Sequence, residues 1–260
     1  MKKTLNVLSI DFDFFQVVDI ETLLSSYPDG HDVPTSLSNI IWSGYYANKG
    51  TRERLEKVKP YHERLEEIRF MVIENAGRKP PKAMVTNSHV HIYDFIMNEF
   101  ESTPYQGLNI VNIDMHHDMF NDNEELDCGN WLNHISKAIP QTKITWIANP
   151  VSKEAYGMDS QRFEMVKTDF ESIKEKTWDL IFLCRSDIWS PPHLDIYFDS
   201  LAKLIMKTSS ECRYTSDIMC PRFDSEAFLQ SIEAQEKIYK KVYEGRILAR
   251  AGLLNERRRK

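Results

Sequence analysis

The sequence predicts an α/β fold with three layers, in which helices cover both faces of a mostly parallel sheet. Short apolar runs typical of buried strands alternate along the chain with segments of helical periodicity. Three of the apolar runs end in acidic residues or histidines, which is where a parallel sheet presents its ligand-binding groups. The 260 residues, 42% of them hydrophobic, suffice for one large domain over 1–260.

The strands are predicted from short apolar runs that are bounded by polar residues or turn formers. They lie at Leu5–Ile10, Ala83–Thr86, Leu108–Ile113, Lys143–Ala148 and Trp178–Cys184. Pro191 and Pro192 follow the last of these runs. Because proline cannot continue a strand ladder or a helix interior, a turn is expected there.

The helices are predicted from the spacing of apolar residues. They are residues 51–75, Ile92–Phe100, Trp131–Ile139 and a helical C-terminal region of about 224–254. Pro60 should kink or interrupt the first helix, because proline lacks the amide that a helix interior needs. Residues 19–50, which carry prolines and glycines among aromatics, are predicted as a long ordered loop with short helices that shapes a pocket.

Composition excludes several classes of protein. The net charge of −6 argues against a nucleic-acid-binding surface, and no apolar stretch approaches the length that spans a membrane. The four cysteines form no Cys-x-x-Cys pair, so a zinc finger or a thioredoxin-like site has no support. Free thiols of this kind are expected in a reducing cytoplasm.

The first polar cluster is Asp11-Phe12-Asp13, at the end of the first predicted strand. In extended backbone, side chains two residues apart point to the same side, so the two carboxylates would lie together. Carboxylates this close repel each other unless a cation or a proton lies between them. A solvated turn or a helix N-cap is the alternative, but the flanking apolar residues favour a buried pair of metal ligands.

The second cluster follows the strand Leu108–Ile113, where Asp114, His116 and Asp118 recur at every second position. Extended backbone would direct all three side chains to one point. Carboxylates and neutral imidazoles together suit manganese, zinc or iron, whereas the alternative is a polar loop with a helix cap. His117 falls out of phase, so it is expected to support the ligands, to shuttle a proton or to be structural.

The third cluster supplies a histidine, His89 or His91, after the strand Ala83–Thr86. With His89, the candidate metal ligands are Asp11, Asp13, His89, Asp114, His116 and Asp118. Their carboxylates balance the charge of two divalent cations. A hard ligand set without thiolate favours manganese over structural zinc, and two such ions would activate a shared water.

Two further segments offer candidate substrate-binding residues. Arg185 and Asp187 follow the strand Trp178–Cys184. Asp187 could bind a cationic group of the substrate, or it could pair with Arg185 or cap the loop. Asn130 and Trp131 begin a predicted helix, and Asn130 has the residue type of an N-cap.

Together these motifs resemble the arginase and ureohydrolase superfamily. Its members bind two manganese ions through a histidine after one strand, an Asp-x-His-x-Asp motif after the next and an Asp-x-Asp motif after a later one. His89, residues 114–118 and residues 11–13 match these motifs, and residues 128–130 resemble the Ser-Gly-Asn of arginases. The Asp-x-Asp motif lies near the N-terminus here, so the motif order is circularly permuted, and Asn87-Ser88-His89 replaces Gly-Gly-Asp-His.

Residues 11–15 and Arg185-Ser186 are more similar to a divergent branch of that superfamily, whose characterised bacterial members are peptide arginases. Those enzymes convert arginine side chains of ribosomally made precursor peptides to ornithine and release urea. The resemblance therefore implies a cytoplasmic hydrolase with two Mn²⁺ ions and a precursor peptide as its partner. Ureohydrolases often assemble, so a homo-oligomer is a further expectation.

The resemblance also implies roles for the remaining candidate residues. Asp187 would hold the guanidinium group, because arginases use a carboxylate from the strand after the Asp-x-Asp strand. Asn130, Trp131 and Arg185 would bind substrate beside it. The aromatic-rich segment Tyr27–Tyr46 would form a groove for the peptide.

The proton for the departing amine would pass through His117 or His134. Near the position of the shuttle histidine of arginases this chain carries Leu132, with His134 close by, so the identity of the shuttle stays open at this point.

Three alternatives remain from the sequence. The first is a ureohydrolase that acts on free arginine or on agmatine. The second is a metal-dependent deacetylase of the same general fold, since deacetylases carry an Asp-x-His motif, sometimes with tandem histidines like His116-His117, but usually bind one zinc ion. The third is a non-catalytic peptide-binding protein that retains a relic site.

Overall fold

The computed structural model describes residues 3–28, 32–120, 125–156, 163, 165–235, 237–238 and 240–242. The chain divides into two compact units, Met1–Phe223 and Asp224–Lys260. In the second unit, residues 225–235 are helical, within the predicted region of about 224–254; residues 243–254 of that prediction lie outside the described residues. The prediction of one domain over 1–260 stays a prediction.

A sheet of seven strands, all parallel, forms the centre of the first unit. Its strands, numbered along the chain, are β1 (Thr4–Asp11), β4 (Lys82–Thr86), β5 (Gly107–Asp114), β6 (Thr142–Ala148), β7 (Met165–Lys167), β8 (Leu180–Cys184) and β9 (Glu211–Tyr214). Their order across the sheet is β7-β6-β5-β1-β8-β4-β9, and a separate antiparallel pair joins β2 (Gln16–Val17) to β3 (Lys59–Pro60). The predicted α/β class is therefore confirmed.

Helices flank this sheet and make the three-layer arrangement. They are α1 (Ile20–Ser26), α2 (Thr35–Ala47), α3 (Lys49–Leu55), α4 (His62–Arg78), α5 (Ile92–Ser102), α6 (Trp131–Ala138), α7 (Ser152–Tyr156) and α8 (Asp195–Thr208). The buried faces of α5 and α6 join alternate residues of the strands in one apolar core. Helices α4 and α8 pack against each other. Within the described residues, no helix combines the length and the apolar content needed to cross a membrane.

The sheet is buried because its central strands are apolar along almost their whole length. Leu5, Val7, Leu8 and Ile10 of β1 are all 0% exposed. Such continuous apolar runs are typical of parallel strands covered on both faces. Polar side chains are therefore confined to a few positions, and those at the carboxyl end of the sheet make the candidate site.

Several parts of the fold differ from the sequence prediction, and helices α7 and α8 and the β2–β3 pair were not predicted at all. Strands β7 and β9 were not predicted, because both are short edge strands and β9 is largely exposed, so neither shows an apolar run. Residues 19–50 were predicted as a long loop with short helices, but their described part contains more helix than that, since α2 alone spans 13 residues. Its buried side chains Trp42 and Tyr46 lie one helical turn apart, a spacing that the nearby prolines and glycines obscured. The predicted interruption at Pro60 is confirmed, because α3 ends before it and α4 begins after it.

Candidate metal centre

The register of the sheet brings the first carboxylates together. Ile10 of β1 lies opposite Ile113 of β5, so the next residues, Asp11 and Asp114, end their strands side by side. Cys184 of β8 is level with Asp11 on the other side. The carboxyl ends of the three central strands therefore converge on one place, as expected for a ligand site in a parallel α/β sheet.

Turns, not extended backbone, bring the later residues of each motif into the site. Asp13 lies in a 3-10 turn, Phe12–Phe15, whose first amides are capped by Asp11: the Asp13 amide donates to Asp11 Oδ1 at 3.2 Å. The sequence argument for alignment in extended backbone was therefore wrong, although its outcome, convergence, is observed.

Two residues of the site adopt left-handed backbone conformations. Asp118 has a φ of 52° and Ser186 a φ of 54°. Few residues other than glycine adopt this region, and it costs on the order of 1 kcal/mol. The strain is confined to residues that face the cluster, since Ser186 donates a hydrogen bond to Asp11 Oδ2 at 2.9 Å. Packing around the site therefore holds both residues in place.

His89 is the centre of the first group of ligands. Its Nδ1 lies 3.1 Å from Asp11 Oδ2, 3.2 Å from Asp114 Oδ2 and 3.2 Å from Asp118 Oδ2. His89 is 2% exposed, and its ring stacks on Phe182 with 5.5 Å between the centroids. Three carboxylates thus face one imidazole nitrogen in a buried place.

His116 is the centre of the second group. Its Nδ1 lies 2.9 Å from Asp13 Oδ2 and 3.6 Å from Asp114 Oδ1. Asp114 therefore presents one oxygen to His89 and the other to His116. Asp11, His89 and Asp114 form one buried group that could hold a metal ion, and Asp13, Asp114 and His116 form another.

The ligand atoms fit a cation better than they fit one another. Asp13 Oδ2 and His89 Nδ1 are buried and have no hydrogen-bond partner among the described residues. Nevertheless, Asp13 Oδ2 lies 2.9 Å from the imidazole nitrogen of His116, and His89 Nδ1 lies 3.2 Å from a carboxylate oxygen of Asp118. Buried polar atoms without partners are rare and costly. Close approach without hydrogen-bond geometry is what ligands directed at a common ion show. The residues present therefore suit a metal ion.

Both histidines are fixed by hydroxyl groups on their far side. His89 Nε2 lies 2.7 Å from Ser9 Oγ, and His116 Nε2 lies 3.1 Å from Tyr156 Oη. If each Nε2 carries the proton and donates it to the hydroxyl, each Nδ1 is left as an acceptor that faces the carboxylates. This is the usual outer arrangement of metal-binding histidines, which sets the tautomer and the direction of the ring.

The carboxylates are held in the same way by donors behind them. Trp131 Nε1 donates to Asp118 Oδ2 at 2.6 Å, and Asn112 Nδ2 donates to Asp114 and Asp118 at 3.3 and 3.2 Å. Ser9 lies two residues before Asp11, and Asn112 lies two residues before Asp114, so each is on the same face of its strand. A polar residue at that position in an apolar strand is a sequence signal that would have found both of them.

The electrostatics of the cluster favour binding of a cation. Burial and the neighbouring carboxylates of Asp11 and Asp114 raise the pKa of Asp13 to about 8. Burial, and then the Asp114 carboxylate, also raise the pKa of Asp118 well above its usual range. Burial lowers the pKa of His89, but the surrounding carboxylates, Asp118 foremost, outweigh it and raise that pKa well above its usual value. The cluster thus retains protons that a cation would displace.

A partly open cavity of about 260 Å³ adjoins the cluster. Its lining residues are Asp11, Asp32, His89, His116, Asp118, Phe120, Asp127, Cys128, Gly129, Ser186 and Trp189. Burial raises the pKa of Asp32 to about 6. Four of the predicted metal ligands thus face a space that can admit a side chain of a substrate.

Asp187, the predicted guanidinium ligand, lies outside this lining. Both of its carboxylate oxygens accept hydrogen bonds from Arg185, at 2.5 Å from Nε and 3.1 Å from the terminal nitrogen. Thr35 Oγ1 donates to Asp187 Oδ2 at 2.5 Å. Asp187 is 1% exposed. The structure therefore shows Asp187 and Arg185 as a buried ion pair, which was the alternative reading of this segment, and their roles as substrate ligands stay a prediction.

The other predicted substrate-binding residues lie behind the ligands. Asn130 is 1% exposed; its Oδ1 accepts from the Asp127 amide and its Nδ2 donates to the Glu125 carbonyl oxygen. It stands at the N-cap position of α6 but makes no side-chain cap hydrogen bond. Trp131 is 0% exposed and supports Asp118. Trp131 thus supports a metal ligand, whereas Asn130 holds the turn before α6, and neither residue lines the cavity.

Neither candidate proton shuttle lines the cavity. His117 Nδ1 accepts from the Met119 amide at 3.0 Å, and its ring packs on Phe120 with 3.8 Å between centroids. His134 packs edge-on against Tyr93. The assignment of a shuttle to either residue stays a prediction.

Three large aromatic residues of the segment Tyr27–Tyr46 are buried and so do not line the predicted peptide groove. Tyr27, Trp42 and Tyr46 are at most 4% exposed and pack on one another. Large aromatic side chains stabilise a fold most when fully buried, which is how this chain uses them. That expectation was wrong for these three residues.

Asp32, Phe120, Asp127 and Trp189 are the lining residues that the sequence did not identify. They lie in loops, and no periodicity or spacing connects them to the metal motifs. Comparison with protein-family models, with curated proteins and with solved structures gave no match.

Proposed function

We propose that this chain is a binuclear metal hydrolase that converts arginine side chains of a ribosomally made precursor peptide to ornithine and releases urea. The observation that carries the proposal is the position of Asp114. Its two oxygens face His89 and His116 separately, so two ligand groups share one carboxylate beside a cavity. A shared carboxylate of this kind is typical of two-metal hydrolytic sites.

The ligand set supports two divalent ions, and manganese in particular. Each of the two groups of three residues combines carboxylates with one imidazole, and neither contains a cysteine. Four carboxylates balance the charge of two divalent cations, as the sequence predicted. Hard oxygen ligands together with imidazoles are typical of manganese sites, whereas structural zinc sites are rich in thiolates.

The reaction breaks one carbon–nitrogen bond and adds one water. The oxygen of water attacks the guanidinium carbon, the bond from that carbon to the side-chain Nε breaks, and the departing amine takes up both protons of the water, which leaves urea and the ornithine ammonium group. Two divalent ions, when bound, would supply a water of lowered pKa and Lewis acidity. The chain itself contributes the fixed positions of the ligands, a cavity for the guanidinium and the exclusion of bulk water from the buried cluster.

The lining of the cavity supports a substrate without a free α-carboxylate. Free arginine carries a carboxylate that a specific site would pair with a cationic group. The lining contains no lysine or arginine among the described residues, whereas it contains four aspartates. A peptide-bound arginine, whose only charge is the guanidinium, meets this requirement, as does agmatine.

The test is a comparison of substrates with the full-length protein loaded with manganese. Urea and ornithine are measured after incubation with a blocked peptide that contains one arginine, with free arginine, with agmatine and with a blocked acetyl-lysine peptide. We expect urea from the arginine peptide at a rate well above that from the small molecules. Urea from free arginine or agmatine alone would contradict the peptide assignment, and acetate from the acetyl-lysine peptide would identify a deacetylase instead.

A metal count accompanies this assay. Two manganese ions per chain, each lost on dialysis against a chelator together with urea release, are expected. One zinc ion per chain would favour the deacetylase alternative, and peptide binding without turnover of any substrate would favour the non-catalytic one.

A further inference from the structure

Asp32 is a carboxylate of the cavity that the metal ligands do not use. Ser88 Oγ, a neutral donor, donates to Asp32 Oδ2 at 2.6 Å. No lysine or arginine of the described residues forms an ion pair with Asp32, in contrast to Asp187, which is neutralised by Arg185. Asp32 is therefore a partly buried negative charge that lacks a cation.

Ser88 ties this carboxylate to the metal site. It directly precedes His89, whose Nδ1 faces the first group of ligands, and Asp32 and His89 line the same cavity. A substrate group that pairs with Asp32 would therefore lie beside the position at which the ions are expected. Holding the reacting group in position beside the metal site lowers the barrier to its hydrolysis.

Aromatic side chains supply the second feature of a guanidinium site. Trp189 and Phe120 line the cavity, and the Trp189 ring lies 4.8 Å from the ring of His116. A guanidinium group is planar, donates hydrogen bonds at its edges and stacks with its faces on aromatic rings. A carboxylate together with aromatic walls therefore matches a guanidinium better than it matches a compact ammonium group.

We propose that Asp32 is the residue that binds the guanidinium group of the substrate and so determines specificity. The inference rests on the proposed function and replaces Asp187 in this role. Asp127, the other lining aspartate outside the metal ligands, is less suited, because its Oδ1 accepts from the Gly129 amide at 2.9 Å and closes a local turn.

The test measures how strongly the protein distinguishes charged from neutral side chains. Two fluorescein-labelled blocked peptides differ only in a central arginine or citrulline, so they differ in the charge of the side chain. Fluorescence anisotropy after rapid mixing measures the affinity of each peptide for the manganese-loaded protein before most of the peptide has been converted. We expect the wild type to prefer the arginine peptide by about ten- to a hundred-fold, the size of one charge-assisted pair.

Asp32→Asn keeps the size of the side chain and removes its charge. We expect this variant to bind the two peptides about equally, to raise KM for the arginine peptide more than it lowers kcat, and to keep two manganese ions per chain. Asp127→Asn is the matched control, since asparagine can keep the turn, and it should retain most of the preference. A wild-type preference near one, or a preference preserved in Asp32→Asn, overturns the proposal.

The binding measurement separates this inference from the proposed function. Preferential binding through Asp32 without urea release would reject the hydrolase and keep Asp32 as the guanidinium ligand. Urea release from the wild type with unchanged KM in Asp32→Asn would keep the hydrolase and reject Asp32. Circular dichroism of each variant, and Asp32→Glu as a variant that keeps the charge, identify any loss that arises from misfolding.

Discussion

Buried aspartates follow two strands of this sheet, and the two differ in the hydrogen-bond donors around their carboxylates. After β8, Asp187 is surrounded by donors: Arg185 and Thr35 occupy both of its carboxylate oxygens. After β1, Asp13 Oδ2 has no hydrogen-bond donor among the described residues and faces His116 Nδ1. Both aspartates are at most 1% exposed, so burial alone does not distinguish them.

The difference lies in what neutralises the charge. A buried carboxylate is tolerated when a cation pairs with it and its oxygens are hydrogen-bonded. Arg185 provides this for Asp187 within the chain. The two ligand groups around Asp114 instead combine carboxylates with imidazoles and include no lysine or arginine, so bound protons or an added metal ion neutralise them. We therefore interpret the first region as structural and the second as a metal centre.

The largest expected effect follows from Asp114→Asn, because Asp114 belongs to both ligand groups. We expect loss of both ions and of all metal-dependent urea release. The loss of metal affinity should exceed the roughly 100-fold that removal of an outer hydrogen-bond partner costs. Metal content after gel filtration and a urea assay measure the two effects. A variant that keeps two ions per chain would contradict the shared-carboxylate site.

The second prediction concerns the structural aspartate. Asp187→Asn leaves Arg185 buried without a counter-charge, so we expect the free energy of unfolding to fall by about 3 kcal/mol, with the metal content at saturating manganese unchanged. Urea denaturation measures the first quantity and elemental analysis the second. Glu53→Gln, which removes the exposed partner of Lys49, is the control and should cost less than about 0.5 kcal/mol. Loss of manganese in Asp187→Asn would move this residue into the metal centre.

The third prediction is the effect of metal removal on stability. Manganese at about 100 times its dissociation constant should stabilise the folded protein by about 2.7 kcal/mol for each bound ion, because it binds the folded state alone. For a chain of this size each ion then corresponds to a rise in Tm of roughly 5–10 °C. Thermal denaturation with manganese and with a chelator measures the shift. An identical Tm in both conditions would show that the buried carboxylates are stable without a cation.

The comparison also shows what the sequence could predict. Asp11, His89 and Asp114 were identifiable because each lies at the end of an apolar strand, and strand ends meet at one edge of a parallel sheet. The state of Asp187 was not, because Thr35, which completes its pairing, is 152 residues away in the chain. Asp32 was missed for the same reason: its neighbour Ser88 is 56 residues distant, and nothing local marks it.

The smallest predicted effect tests whether the hydroxyls behind the histidines tune the metal centre. Ser9→Ala removes the hydroxyl that lies 2.7 Å from His89 Nε2. Because Ser9 is buried in β1 and alanine lacks only this oxygen atom, the substitution alters the packing little. We expect manganese affinity to fall by about ten- to a hundred-fold, the usual cost of an outer partner, because the ring loses the contact that fixes its tautomer. Isothermal titration with manganese measures the change.

Tyr156→Phe is the matched variant on the other histidine. It removes the hydroxyl 3.1 Å from His116 Nε2 and keeps the ring, whose centroid lies 4.7 Å from that of the imidazole. Because the Tyr156 contact is longer and Tyr156 is less deeply buried than Ser9, its loss should weaken binding less than the loss of Ser9. Two ions with separate histidines should respond separately, so each variant should weaken one binding step and spare the other. A uniform loss in both steps would indicate instead that the histidines serve a single ion.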